Sequence, residues 1–225
     1  MLEVAAYGQG TFQNLGFETA VLVPVPIDGY GRVQFESAFP NWTGYVGGVP
    51  QTRALYNNAF MDSSGIGIIG SGWTNALGLS GGVISGNYTA ILQAGVLLGT
   101  FTPADTTLSQ TSLVPLSAES LRFRSYGSAS NGPLLVFLAG QRLTLVPLGT
   151  ATNYTLFGAD IHGWQGQIAQ LDFTVIAQRP HVENSNIFLD RIQFSNEPIP
   201  EPGVFALFGL GALIFGWRRF SKSRA

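Results

Sequence analysis

The residues whose chemistry could carry a function are few, and Asp190 is the most informative of them. It lies in an apolar segment whose alternation predicts a β-strand with Asp190 on the same face as three apolar residues, Phe188, Ile192 and Phe194. A carboxylate on an apolar face needs a hydrogen-bond donor, a salt-bridge partner or a cation. The sequence offers Arg191 or Arg122 as the salt-bridge partner, and carboxylate oxygens are also ligands that suit calcium.

The chain shows few of the motifs that common enzymes use. Cysteine is absent, which excludes disulfides, thiolate zinc sites and cysteine nucleophiles. His162 and His181 are the only histidines, and they do not form a His-x-x-x-His pair. Residues 65–70 have the glycine spacing of a dinucleotide-binding turn, but no helix start follows and the next acid is Asp105. We therefore interpret residues 65–70 as a glycine-rich loop. Because the chain shows few of the motifs that common enzymes use, we predict that the protein is not an enzyme.

The composition indicates a β-rich domain and argues against nucleic-acid binding. Charged residues make up 11% of the chain, aromatic residues 12%, and 29 of the 225 residues are glycine, a pattern typical of short strands joined by tight turns. Four of the 11 Lys and Arg residues lie after residue 217. The rest of the chain is acidic, whereas binding to phosphate groups requires a basic surface.

Short apolar runs broken by Gly, Pro, Asn or Ser predict many strands and no long helix before residue 203. The clearest strands are residues 121–126, 168–177 and 187–195, and residues 134–138 and 143–146 form a predicted hairpin around a Gly-containing turn. This pattern favours an all-β fold, a β-sandwich or jelly roll over residues 9–197, followed by a single C-terminal hydrophobic helix.

Three motifs of this body resemble the galactose-binding-like jelly rolls found in many carbohydrate-binding modules. They are residues 14–18 (Asn-Leu-Gly-Phe-Glu), residues 40–42 (Pro-Asn-Trp) and residues 188–190 (Phe-Leu-Asp). The first motif departs from the family, which usually has Gly in place of Leu15. The resemblance implies that the strand at residues 12–18 lies beside the last strand.

The same resemblance implies a structural calcium ion, held in part by Glu18 and Asp190. Two of the usual six to eight ligands do not define such a site. The alternative is a hydrogen-bonded or salt-bridged acid at the end of the sheet.

Four aromatic residues are candidates for a sugar-stacking platform: Trp42, Tyr45, Trp73 and Trp164. Aromatic rings offer a flat apolar face with a polar edge, which suits a sugar ring. The alternative is that they pack in the core or at the rim of a β-sandwich.

The C-terminus combines a proline-containing motif, an apolar run and a basic end. Pro200 and Pro202 fix φ and flank Glu201, so this stretch is extended. Residues 204–217 are apolar on every face. The basic cluster that follows them holds the C-terminal end of this apolar run on the cytoplasmic side of a membrane. We predict a membrane segment from about residue 204 to 220, rather than a core helix, because an apolar helix has no face to show to water.

This order resembles the PEP-CTERM sorting signal of Gram-negative bacteria, which is read by a membrane peptidase of the exosortase type. The resemblance assigns Pro200, Glu201 and Pro202 as the recognition motif, and Arg218 and Arg219 as the stop. It implies an inner-membrane anchor that is processed, followed by release to the cell surface or extracellular matrix.

These features predict an exported structural or adhesive protein that associates with exopolysaccharide. The sorting signal occupies residues 198–225, and residues 1–8 are interpreted as the remnant of a signal-peptide region whose true start lies upstream. The alternative for location is a cytoplasmic protein with a tail anchor. The alternative for function is a carbohydrate-binding module that recognises a specific glycan.

Overall fold

The computed structural model describes residues 11–26, 29–74, 82–127, 134–177 and 185–200. These residues form two β-sheets and one short helix, α1 (Phe35–Ala38). The larger sheet has, in spatial order, β1 (Arg32–Gln34), β4 (Arg53–Tyr56), β5 (Gly65–Ile69), β6 (Thr89–Val96), β15 (Ser185–Ser195), β9 (Ser120–Gly127), β13 (Thr155–Asp160) and β12 (Val146–Thr150), with β7 (Pro103–Ala104) paired to β6. The smaller sheet has the order β11 (Gln141–Arg142), β10 (Leu134–Leu138), β14 (Ile168–Val175), β8 (Thr106–Leu113), β2 (Thr43–Val46) and β3 (Val49–Pro50).

The two sheets pack face to face around one core, which confirms the predicted β-sandwich. The alternation along β9 and β14 sends every second side chain inward, so Phe123 of one sheet meets Phe173 of the other in an edge-to-face contact with ring centroids 5.2 Å apart. Trp42 packs against Phe173 and Phe17 in the same core. The described strand pairs are antiparallel except for β4 with β5.

The predicted strands at residues 121–126, 168–177 and 187–195 are confirmed as β9, β14 and β15. The hairpin after residue 134 is also present, with Ala139 and Gly140 in its turn at φ of 51° and 76°. Its second arm begins earlier than predicted, with β11 at residues 141–142 directly after the two-residue turn. Of the predicted residues 143–146, Leu143 continues the pairing, since its N donates to Val136 O at 2.8 Å. A two-residue turn with two positive φ values matches the twist of the strands that it joins.

The glycine-rich segment at residues 65–70 is not a loop, as the sequence suggested, but largely the buried central strand β5. Its glycines allow close packing: a Cβ atom at Gly67 would lie 2.9 Å from Ile91, and one at Gly65 would lie 2.7 Å from the ring of Phe60. The spacing that resembles a nucleotide-binding turn therefore serves the contact between the strand and its neighbours.

The segment at residues 12–18 is not a strand either, since Asn14 and Phe17 have φ of 51° and 58° and break the extended backbone. Its predicted position beside the last strand is nevertheless right. Leu15 O accepts a hydrogen bond from Ile192 N at 2.9 Å. The rings of Phe12 and Phe194 lie 4.8 Å apart.

The parts of the chain that the structure describes hold no helix of the length and apolarity needed to cross a membrane. The helix predicted near residues 204–220 and the signal-peptide remnant at residues 1–8 both lie outside the described residues.

Candidate functional site

A β-bulge directly after Asp190 separates it from two of the residues with which simple alternation groups it. The register of β15 against β9 shifts between Asp190 and Gln193, and Arg191 has a φ of 50°. Ile192 and Phe194 point into the main core, whereas Phe188 belongs to a separate apolar cluster on the outer face of the larger sheet. Asp190 shares the outer face with Phe188, as predicted, but its predicted grouping with Ile192 and Phe194 is wrong.

Asp190 is fully buried, and its carboxylate is satisfied by hydrogen-bond donors. Oδ2 accepts from Ser85 N and Thr89 Oγ1, both at 3.0 Å, and Oδ1 accepts from Arg191 N at 2.6 Å. Burial raises the pKa of Asp190 from 3.8 to about 6, although these hydrogen bonds and the positive charge of Arg191 act in the opposite direction. Arg122, which the sequence offered as a partner, pairs instead with Glu197.

Glu18 binds the same loop, which we define as the 85–89 loop, from its solvent side. Its carboxylate accepts from Asn87 N at 2.9 and 3.0 Å, from Asn87 Nδ2 at 3.0 Å and from Tyr88 N at 3.4 Å. Gly86 lies directly against this carboxylate at a φ of 71°, where a side chain would meet both steric and conformational obstacles.

The three motifs of the sequence resemblance converge in space. Asn14 Nδ2 donates to Pro40 O at 3.4 Å, and Trp42 Nε1 donates to Asn14 O at 3.1 Å, so the first motif is joined to the second. The contact of Leu15 with β15 joins the first motif to the third. Glu18 and Asp190 are thereby brought to one end of the domain, as predicted.

The described contacts do not fit a calcium site at these two acids. Calcium requires six to eight oxygen ligands directed at one point, whereas the carboxylate oxygens of Glu18 and Asp190 face N–H and O–H donors. Within the described ranges, no three Asp, Glu or His side chains gather into a group that could hold a metal. The arrangement does fit a role that needs no cation, in which the two acids fix the 85–89 loop.

The four aromatic candidates do not share one surface. Trp42 is only 5% exposed and lies in the core, and Tyr45 lies half-buried on the outer face of the smaller sheet. Trp73 packs on Phe188 over the larger sheet, with ring centroids 6.2 Å apart. Trp164 lies half-buried in the turn after β13. They therefore form no common stacking platform.

A surface cleft of about 430 Å³ lies where α1 and β1 approach the β2–β3 edge of the smaller sheet. Trp42 borders it, and most of the other lining side chains are polar: Gln34, Glu36, Thr43, Gln51 and Thr52. Amide, hydroxyl and carboxylate groups in a concave site can bind the hydroxyl groups of a small polar ligand. The sequence indicated Trp42 as a candidate but not these polar side chains, because they come from elements that are separate in the sequence.

His162 lies in an exposed turn. Its Nδ1 is 3.2 Å from Glu119 Oε2, and its side chain is 73% exposed. Asp160 accepts a hydrogen bond from the backbone N of His162 at 2.8 Å. These contacts shape the turn, and none of these three residues lines the cleft beside Trp42. His181 lies outside the described residues.

The last described residues do not leave the domain freely but fold back across the outer face of the larger sheet. We call residues 195–199 the C-terminal strap. Ser195 O accepts from Glu119 N at 2.7 Å, and Glu197 O accepts from Ser120 Oγ at 2.7 Å. The strap therefore extends the contacts of the body past residue 197, the boundary that the sequence suggested.

Two further contacts hold the strap. The Arg122 guanidinium pairs with the Glu197 carboxylate and also donates from Nη2 to Glu197 O at 3.3 Å. The half-buried Ile199 packs over Gly158, where a Cβ atom would lie 2.5 Å from Ile199 Cδ1 and 2.7 Å from Leu148 Cδ1. The missing side chain at Gly158 thus makes room for Ile199.

Comparison with known proteins identifies a PEP-CTERM protein-sorting motif at residues 198–219, which begins inside the strap. Of the residues assigned to the sorting motif, Pro200 is described and exposed, whereas Glu201, Pro202, Arg218 and Arg219 lie outside the described residues. The motif supports export and sorting to the cell surface, and it implies processing by an exosortase.

No curated protein matches the chain. Among solved structures, the chain is similar to the enzymatically active domain of tailspike protein 4 of bacteriophage CBA120, with 12% identity and a TM-score of 0.39. The match covers 72% of this chain, and this chain spans only 20% of the tailspike chain.

Proposed function

We propose that the protein is an exported surface or extracellular-matrix protein whose β-sandwich has a structural or adhesive role. The sorting motif at residues 198–219 is the observation that carries this proposal. In this pathway the apolar run after residue 203 anchors the chain in the inner membrane until an exosortase cuts near the Pro-Glu-Pro motif. The mature sandwich then reaches the matrix, where exopolysaccharide is its proposed partner.

The chemistry of the described residues supports a non-catalytic role. The buried carboxylate of Asp190 accepts hydrogen bonds from the protein's own groups, Ser85 N and Thr89 Oγ1, and so holds the 85–89 loop. His162 and Glu119 form an exposed pair in a turn. We propose on this basis that the protein is not an enzyme.

The experiment that tests the proposal follows the mass and location of the full chain in a host that makes an exosortase. We expect the wild-type chain to lose its C-terminal tail and to appear at the surface, and the triple variant Pro200→Ala, Glu201→Ala, Pro202→Ala to keep its full mass and stay in the membrane. A strain without the exosortase is the matched control. Intact-mass spectra showing that the wild-type chain still ends at Ala225 in the exosortase-producing host would overturn the proposal.

A second candidate function is the binding of a specific glycan. The cleft beside Trp42 favours it, because its polar side chains offer both donors and acceptors to sugar hydroxyls. In this proposal Glu36 and Gln51 bind hydroxyl groups, and the edge of Trp42 contacts a sugar ring.

A glycan array probed with the full chain in detergent tests this second candidate. We expect Glu36→Ala and Gln51→Ala to lose binding to any glycan that the wild type selects. Gln141→Ala, an exposed change on the opposite edge strand of the same sheet, is the matched control and should bind as the wild type does. An array without a selected glycan would exclude this candidate.

A further inference from the structure

We propose that the C-terminal strap restrains processing: when closed, it holds the start of the sorting motif against the sandwich, and its release exposes the motif to the membrane peptidase. Arg122 and Glu197 are the positioning residues of this device. The inference rests on the proposed function, because it concerns the rate at which that same signal is cut.

The strap ends inside the sorting motif. Ile199 is half-buried over Gly158, and the exposed Pro200 follows it directly. The family motif begins at residue 198, so its first residues belong to the packed strap rather than to a free linker. A peptidase that binds the motif in an extended form must work immediately beside the folded sheet.

The closed strap leaves only a short length of chain between the sandwich and the apolar run. Five residue steps separate Ile199, the last packed residue of the strap, from Val204, and they span at most about 18 Å when fully extended. If the strap is released back to Ser195, nine steps are free, and the reach grows to about 32 Å. Opening the strap therefore nearly doubles the distance that the chain can place between the sandwich and a membrane-embedded enzyme.

The strap is held by contacts that can open. The Glu197 side chain is 59% exposed and the Arg122 side chain 21% exposed, so water competes for this ion pair. Glu197 O also accepts hydrogen bonds from Ser120 Oγ and Arg122 Nη2, and Glu197 N donates to Ser195 Oγ. Ile199 packs on Leu148. None of these contacts forms part of the main core, so release leaves the sandwich intact.

The experiment measures the rate of tail removal from pulse-labelled full chain in the exosortase-producing host. We expect Arg122→Ala and Glu197→Gln, each tested alone, to speed tail removal by about threefold to fivefold. This factor is the increase in the fraction of molecules with an open strap that fits the loss of an exposed ion pair. The exchange of the two charges in Arg122→Glu with Glu197→Arg should restore the slow rate. Arg124→Ala is the matched control, because Arg124 lies on the same strand and face but contacts Tyr154.

A linker insertion separates restraint from general loosening. Four residues, Gly-Ser-Gly-Ser, inserted between Ile199 and Pro200 lengthen the tether while the strap stays closed. We expect the insertion to speed processing as much as Arg122→Ala does, and the two changes together to add nothing. Gly44→Ala, which disturbs the core away from the strap, should leave the rate unchanged.

The outcomes are distinguishable. A wild-type chain that is never shortened overturns the proposed function itself. A wild-type chain that is cut, with Arg122→Ala and Glu197→Gln cut at the same rate or more slowly, overturns the restraint alone. A faster rate in Gly44→Ala would also overturn it, since loss of stability would then account for the effect.

Discussion

Glu18 and Asp190 hold the same loop from two sides. Asp190 accepts hydrogen bonds from Ser85 and Thr89 at the ends of the 85–89 loop, and Glu18 accepts them from Asn87 and Tyr88 between those ends. The Asp190 carboxylate is fully buried, whereas the hydrogen bonds to the Glu18 carboxylate lie at the surface. The start of the chain, the last strand and this loop are therefore tied together by two acids.

Replacing the buried acid should cost stability. In Asp190→Asn the amide nitrogen cannot accept a hydrogen bond, so at least one of the three donors at this site loses its partner. We expect a loss of about 1–3 kcal/mol in the free energy of unfolding, measured by thermal melting of the full chain in detergent. Asp172→Asn, on the outer face of the smaller sheet beside Gln170, should melt close to the wild type.

The pH dependence of stability should show the titration of Asp190. Because burial raises the pKa of Asp190 to about 6 in the folded state, the folded protein binds a proton more readily than the unfolded chain, whose value is 3.8. As pH falls from about 6 toward 4, the melting temperature of the wild type should rise relative to that of Asp190→Asn. A constant difference between the two proteins from pH 7 to pH 4 would contradict this assignment.

Calcium should have no effect on melting. The carboxylate oxygens of Glu18 and Asp190 already accept N–H and O–H donors, which would have to turn away before a cation could bind. We expect equal melting temperatures in millimolar calcium and in EDTA, because a ligand stabilises a protein only if it binds the folded state preferentially. A clear rise with calcium would show that the two acids adopt another arrangement.

Gly44→Ala should destabilise the core. A Cβ atom at Gly44 would lie 2.5 Å from Ile66 Cδ1 and would also contact the ring of the buried Phe35. We expect a loss of about 1–3 kcal/mol from this overpacking, visible as a lower denaturant midpoint. Gly149→Ala, in a strand position with open space around it, is the control and should change the midpoint little.

Local patterns predicted those parts of the fold that depend on local interactions. Alternation located β9, β14 and β15, because each of these strands has one face in the core. It failed at Arg191, where one extra residue in the strand reversed the faces of the residues that follow. It failed also at residues 65–70, where glycines serve tight packing between strands rather than a turn.

The candidate site was predictable only in part, for a physical reason. The resemblance placed Glu18 and Asp190 together, but nothing near either residue in the sequence identifies the 85–89 loop as their partner. The strap could not be predicted from the sequence either, because the contact of Ile199 with Gly158 depends on the lack of a side chain at Gly158. Such contacts are encoded by the fold as a whole and have no local signature.

The central position of β15 has a consequence for the order of folding. This strand lies between β6 and β9, both of which precede it in the chain, and no other described pairing joins those two strands. The larger sheet must therefore remain in two halves until residues 185–195 have been synthesised and can insert between them. Such long-range pairing is slow. A chain that crosses a membrane from its N-terminus thus completes its sandwich only when the strand directly before the sorting signal has arrived.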